Sequence, residues 1–134
     1  MYILDTNVIS EMRKLRPHGA LLQWYRAQNL DDLFLSSITL YELQRGSELT
    51  RRQDRSKAAE IEQWITTLST TFDVLPLDGA AAQLTAKFME KHSPGMLADA
   101  MIAAMAFTYD LTVATRNVRD FEGFPVAIIN PFAA

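Results

Sequence analysis

The chain has 134 residues, 16 acids against 13 bases and a net charge of −3, with 49% hydrophobic and 22% charged residues, which is globular rather than disordered composition. At about 150 residues per domain, positions 1–134 fit one domain, able to bury about two thirds of its unfolded surface. The absence of cysteine excludes disulfides, thiolate metal sites and cysteine nucleophiles and suits a cytoplasmic location, while the net charge excludes an overall basic field for nucleic acid.

Any phosphate-bearing substrate therefore needs a local basic patch or bound cations. The opening Tyr2-Ile3-Leu4 is too brief for a helix and reads as a buried strand, with no basic lead before it, so the start reads as mature. Val8, Ile9, Met12 and Leu15 follow at helical spacing and stop before Pro17. A short helix carries Leu21, Leu22, Trp24 and Tyr25, and Leu33-Phe34-Leu35 is a strand leading into a helix from Ser36-Ser37 through Leu49. Ala58, Ile61, Ile65, Leu68 and Phe72 mark an amphipathic helix. Asp73-Val74-Leu75 is a strand, and Asp78 caps a helix to about Lys91. After the break at Pro94-Gly95, Met96 to Tyr109 is apolar on nearly every side and reads as a helix buried all round; its Ala100–Phe107 stretch is far short of the roughly 20 residues that span a bilayer, so no membrane is expected. Leu111–Ala114 and Val126–Ile129 are the last strands. Strands alternating with helices predict an α/β fold with a mostly parallel sheet covered on both faces, and ligands in such sheets gather at the carboxyl ends of the strands where strand order reverses.

Four acids stand out against this frame. Asp5 ends the first strand, where it serves either as a helix cap or as a site carboxylate. Glu42 interrupts the apolar run Ile38–Leu43, although Thr39-x-x-Glu42 also matches a capping box. Asp99 is the strongest anomaly, a carboxylate in the greasy Met96–Ala104 helix, where burial without a partner costs several kcal/mol and a first-turn dipole returns only about 0.3–1 kcal/mol. Asp120 follows the fourth strand and alone reads as a turn residue. Together they form an all-oxygen set that suits a hard divalent ion, which takes one or two carboxylates, keeps several waters and accepts substrate phosphate. Acids about 4 Å apart repel by roughly 4 kcal/mol at an effective dielectric of 20, and a cation removes that repulsion and attracts phosphate. Hydrolysis by metal-activated water follows.

The two histidines, His18 and His92, lie beside Pro17 and Pro94 and read as surface residues. Arg45, Arg51, Arg52, Arg55 and Lys57 form the main basic cluster, either a solvated helix face or a rim guiding RNA phosphates. Trp24, Trp64 and Tyr41 read as packing residues.

The ordered segments Met1–Glu11, Ser37–Leu43, Leu97–Ala104 and Thr115–Glu122, with the ending Ile129-Asn130-Pro131-Phe132, resemble the PIN-domain ribonucleases, and more narrowly the VapC toxins of the FitB-like branch. The resemblance implies a three-layer α/β/α sandwich with a central parallel sheet. It implies an endoribonuclease dependent on Mg2+ or Mn2+ that cuts RNA and is the toxin of a type II toxin–antitoxin system, restrained by a VapB-like antitoxin. It also implies a homodimer, and operator DNA bound only through the antitoxin. Asp5 and Asp99 would be the main metal ligands, with Glu42 and Asp120 completing the site, and Thr6, Asn7, Thr115, Arg116 and Asn117 would contact substrate or support the ligands. In some relatives the fourth acid stands nearer position 117, and Met105 replaces a residue that is often small. Two other readings compete: a catalytically weak dimeric body of a DNA-bound regulatory complex, and a phosphatase with an aspartyl nucleophile. The latter wants a second acid where Asn7 stands.

Overall fold

A computed structural model describes residues 1–133. Its strands are β1 (Tyr2–Leu4), β2 (Leu33–Ser36), β3 (Asp73–Leu75), β4 (Thr112–Ala114) and β5 (Ile128–Ile129). They form one sheet in the order β3-β2-β1-β4-β5, every neighbouring pair parallel. The helices are α1 (Thr6–Met12), α2 (Gly19–Arg26), α3 (Ser37–Arg51), α4 (Arg55–Thr71), α5 (Gly79–Phe88), α6 (Leu97–Thr108) and α7 (Val118–Phe121).

Alternation along the strands splits the apolar residues between two faces. Ile3 and Val113 pack with Ala81, Ile102, Met105 and Phe121 under α5, α6 and α7. Leu4, Leu35 and Ala114 pack with Val8, Leu21, Leu68 and Phe72 under α1, α2 and α4. The result is the expected α/β/α sandwich. Chain order runs outward from β1 to β3, then returns to β4 on the other side of β1, so strand order reverses between β1 and β4.

Several boundaries differ from the sequence expectation, each for a local reason. α1 stops at Met12 and leaves Leu15 99% exposed, because the Glu11 carboxylate takes the His18 N–H at 3.1 Å and draws the chain into a loop ahead of Pro17. β5 begins only at Ile128, since the Val126 N–H turns back to the Phe124 carbonyl at 2.8 Å across Pro125. The stretch read as a turn around Asp120 holds the short helix α7. α6 is buried through its middle but not all round, with Leu97 44% and Phe107 53% exposed at its ends. His92 is half-buried rather than on the surface, its ring stacked 4.7 Å from Phe124 and its Nδ1 2.9 Å from the Phe88 carbonyl. His18 is exposed, as expected. No helix among the described residues is long and apolar enough to cross a membrane.

Candidate active site

Asp5 stands where β1 meets its reversal point. Its N–H extends the β1–β4 ladder to the Ala114 carbonyl at 2.9 Å, and its side chain is buried. The cap expected of Asp5 forms, and it occupies only one of the two carboxylate oxygens. Oδ1 accepts the Thr6 N–H at 2.9 Å and caps α1, while Oδ2 accepts the Thr115 hydroxyl at 2.8 Å and the Asn7 amide at 3.0 Å. Burial pushes the Asp5 carboxyl above its ordinary 3.8, with the Glu42 charge adding to the rise, and the bonds from Thr115, the Thr6 N–H and Asn7 oppose it.

The loop after β4 is laced to the start of α1. Thr115, fully buried, accepts the Asn117 N–H at 3.0 Å, and the Arg116 N–H donates to Asn7 Oδ1 at 3.0 Å. The Arg116 guanidinium lies 4.6 Å over the Phe132 ring.

Glu42 reaches the same place from α3. The capping box does not form: Ser36 caps α3 by accepting the Ile38 N–H at 2.9 Å, which leaves Thr39 and Glu42 a turn further in. Glu42 Oε1 accepts the Thr6 hydroxyl at 2.8 Å, and the hydroxyls of Thr6 and fully buried Thr39 share a bond of 3.1 Å. Thr39 belongs to the site, and its one-turn spacing from Glu42 was the available signal. Behind it, the Ser36 hydroxyl donates to the sulfur of Met105 at 3.2 Å, so Met105 ties the cap of α3 to α6.

Asp99 lies in the first turn of α6 and is half-buried. Its carboxyl is raised from 3.8 to about 7, by burial first and then by the charges of Asp5, Asp120 and Glu42. Asp120, half-buried on α7, thus joins the cluster, while Asn117 contributes its backbone N–H to Thr115. The structure brings all four acids to one edge.

The named charges bearing on Asp99 are all negative, and the donors are all oxygens. Among the described residues, no three acid or imidazole side chains gather closely enough to hold a metal ion together, which leaves at most one or two carboxylates as direct ligands. That donor set fits a hard divalent ion that keeps much of its water, as magnesium does, and does not fit a dedicated zinc cage.

From Thr6 and Glu42 a groove of about 310 Å³ runs along α1 past Ser10 to Arg13, whose guanidinium lies 5.5 Å over the Trp64 ring. The basic cluster of the sequence lies further off. Arg51 stands nine positions beyond Glu42, about 14 Å along the helix axis, and pairs with Glu48 and Glu62, while Lys57 pairs with Glu60 at 3.6 Å. Arg45 stays exposed one turn from Glu42.

Comparison with known proteins bears on the fold and the family. The PIN domain family matches residues 2–125. A plasmid stability protein, StbB, of Pseudomonas syringae pv. tomato is 38% identical, with 100% of each chain covered. The VapC ribonuclease Y4jK of Sinorhizobium fredii is 36% identical, with 98% of each covered. The solved structure of FitAB bound to an IR36 DNA fragment superposes with a TM-score of 0.86 at 31% identity, covering 100% of this chain and 97% of that one. With the family model matched from Tyr2 to Pro125 and these relatives aligned along nearly their whole length, this chain belongs to the PIN domain family.

Proposed function

We propose that this chain is the toxin of a type II toxin–antitoxin pair and an endoribonuclease that needs Mg2+ or Mn2+. The observation that carries the reading is the meeting of acids at one edge: the Thr6 hydroxyl joins Glu42 to the helix turn that Asp5 caps, and Asp5, Asp120 and Glu42 are the charges that bear on half-buried Asp99. A bound divalent cation supplies Lewis-acid activation of water and stabilisation of the leaving oxygen. Asp5 and Asp99 are its main holders, with Glu42 and Asp120 completing the acidic wall. Asp5 is pre-oriented by the Thr115, Asn7 and Thr6 donors, and Glu42 is aimed by the Thr6 hydroxyl. The RNA phosphate approaches at the strand ends, and Asn117 and Arg116 line the loop beside it.

The likeness to a protein named VapC ribonuclease supports RNA as substrate, and the likeness to FitAB on DNA supports an antitoxin partner that carries the pair to operator DNA. We expect the toxin to work as a homodimer. The direct test is cleavage of structured RNA by purified protein with magnesium or with chelator; equal cleavage in both rejects the mechanism. Growth arrest by wild type but not by Asp5→Asn supports turnover, whereas equal arrest favours a non-catalytic body of the regulatory complex.

A further inference from the structure

The segment after β5 is bound to the loop that carries Thr115. The Thr115 N–H extends the ladder to the Ile129 carbonyl at 3.0 Å, and Asn130 Oδ1 takes the Phe132 N–H at 3.0 Å, closing a turn that sets the Phe132 ring. That ring is 8% exposed, packs with Leu4, Val8 and Ala114, and meets the edge of His18 at 5.4 Å. Over it lies the Arg116 guanidinium at 4.6 Å, a cation–π contact. The Glu11 carboxylate also feels the Arg116 charge.

We propose that Phe132 is a positioning residue for the acidic centre: by holding Arg116 it fixes the backbone that orients the donors to Asp5. The chain of contacts is short. The Arg116 N–H holds Asn7 Oδ1, which turns the Asn7 amide nitrogen toward Asp5 Oδ2, and the preceding residue, Thr115, gives Oδ2 its other donor. The Arg116 N–H holds the oxygen end of the Asn7 amide, while its nitrogen end is held by Asp5 Oδ2 and, at 3.3 Å, by Thr115 Oγ1, so withdrawing that N–H removes one of the three bonds that orient it. Both donors to Oδ2 thus depend on where residues 115–117 sit.

The metal arm of the test rests on the proposed function, and the exchange arm does not. In metal-free protein, Phe132→Leu and Arg116→Gln are expected to speed amide exchange at Arg116 and Asn117 about tenfold while the β1 and β4 amides keep their protection. The same two variants are expected to weaken Mn2+ binding, measured by titration, about tenfold, the usual scale for losing a group that orients a metal ligand. Phe132→Trp keeps an aromatic face and restores both readouts. Arg116→Gln alters an exposed side chain, so its folding is not in question. Unchanged exchange at Arg116 and Asn117 in Arg116→Gln overturns the proposal, as does a Phe132→Leu effect spread evenly over the sheet or not rescued by tryptophan. If the wild type binds no Mn2+, the metal reading fails and the exchange arm still decides this one.

Discussion

The Thr6 hydroxyl donates to Glu42 Oε1 at 2.8 Å and so joins the first turn of α1 to α3 across 36 positions. The same hydroxyl bonds to that of Thr39, which is fully buried and has no access to water as a substitute. Thr6→Val keeps the shape and removes both bonds. It is expected to cost about 1–2 kcal/mol in urea unfolding, because the Thr39 hydroxyl is left unpaired, while Thr6→Ser stays near wild type. RNA cleavage should fall with Thr6→Val as Glu42 loses its aim. A valine variant with full stability and full activity would show that the bond matters to neither.

Asp99 makes stability depend on pH. Folding raises its carboxyl from 3.8 to about 7, so between those values the folded chain binds more protons than the unfolded one. The sign follows: the Asp99 contribution to stability is fully present below the unfolded value, is lost as pH rises through this window and levels off above about 7. Asp99→Asn in chelator should flatten that slope and, at pH 8, exceed wild type by about 1–2 kcal/mol after allowance for solvent screening. Magnesium should stabilise wild type more than the variant. Denaturant curves at pH 5, 6.5 and 8 check it, and a variant weaker than wild type at pH 8 points to a structural role for Asp99.

Much of this was legible in the residues, and what was not has a physical cause. Leu33-Phe34-Leu35 and Asp73-Val74-Leu75 sit within the strands found, because short apolar runs between polar punctuation have few other solutions. Asp99 was conspicuous for the same reason that its carboxyl is raised: the surrounding sequence offers it no counter-charge. Glu42 was ambiguous because Ser36 and Thr39 both offer cap hydroxyls one turn apart, and only the backbone at Ser36, extended at φ −90 and ψ 144, decides between them. The hold of Phe132 on Arg116 was invisible, since it depends on β5 lying beside β4, a pairing that no local pattern encodes. The short helix α7 was missed because four residues carry no periodicity.

Thr115 is the tightest support of Asp5. Its hydroxyl donates to Oδ2 at 2.8 Å, accepts the Asn117 N–H at 3.0 Å and lies wholly buried. Thr115→Val leaves both partners short of a bond, and the expected cost is about 1–3 kcal/mol. The Asp5 carboxyl should rise further, since the Thr115 bond is the largest influence lowering it. Divalent metal affinity should drop about 10–100-fold, the scale seen when a ligand loses its orienting partner. Mn2+ titration repeated at increasing pH separates lost orientation from mere protonation: a deficit that disappears as pH rises belongs to the proton alone.

Asp120 and Asn117 can be told apart through Asp99. Asp120 acts on it by charge, after burial and after Asp5 in weight, whereas Asn117 reaches the site through a backbone N–H that any side chain leaves in place. Asp120→Asn should therefore lower the Asp99 carboxyl in metal-free protein, though not to 3.8, because burial and Asp5 remain. Asn117→Ala should leave that titration where it is. Carboxyl NMR of Asp99 reads the difference directly, without relying on turnover. A shift with Asn117→Ala and none with Asp120→Asn would move the fourth acidic position away from α7 and leave Asp120 as an ordinary helix residue.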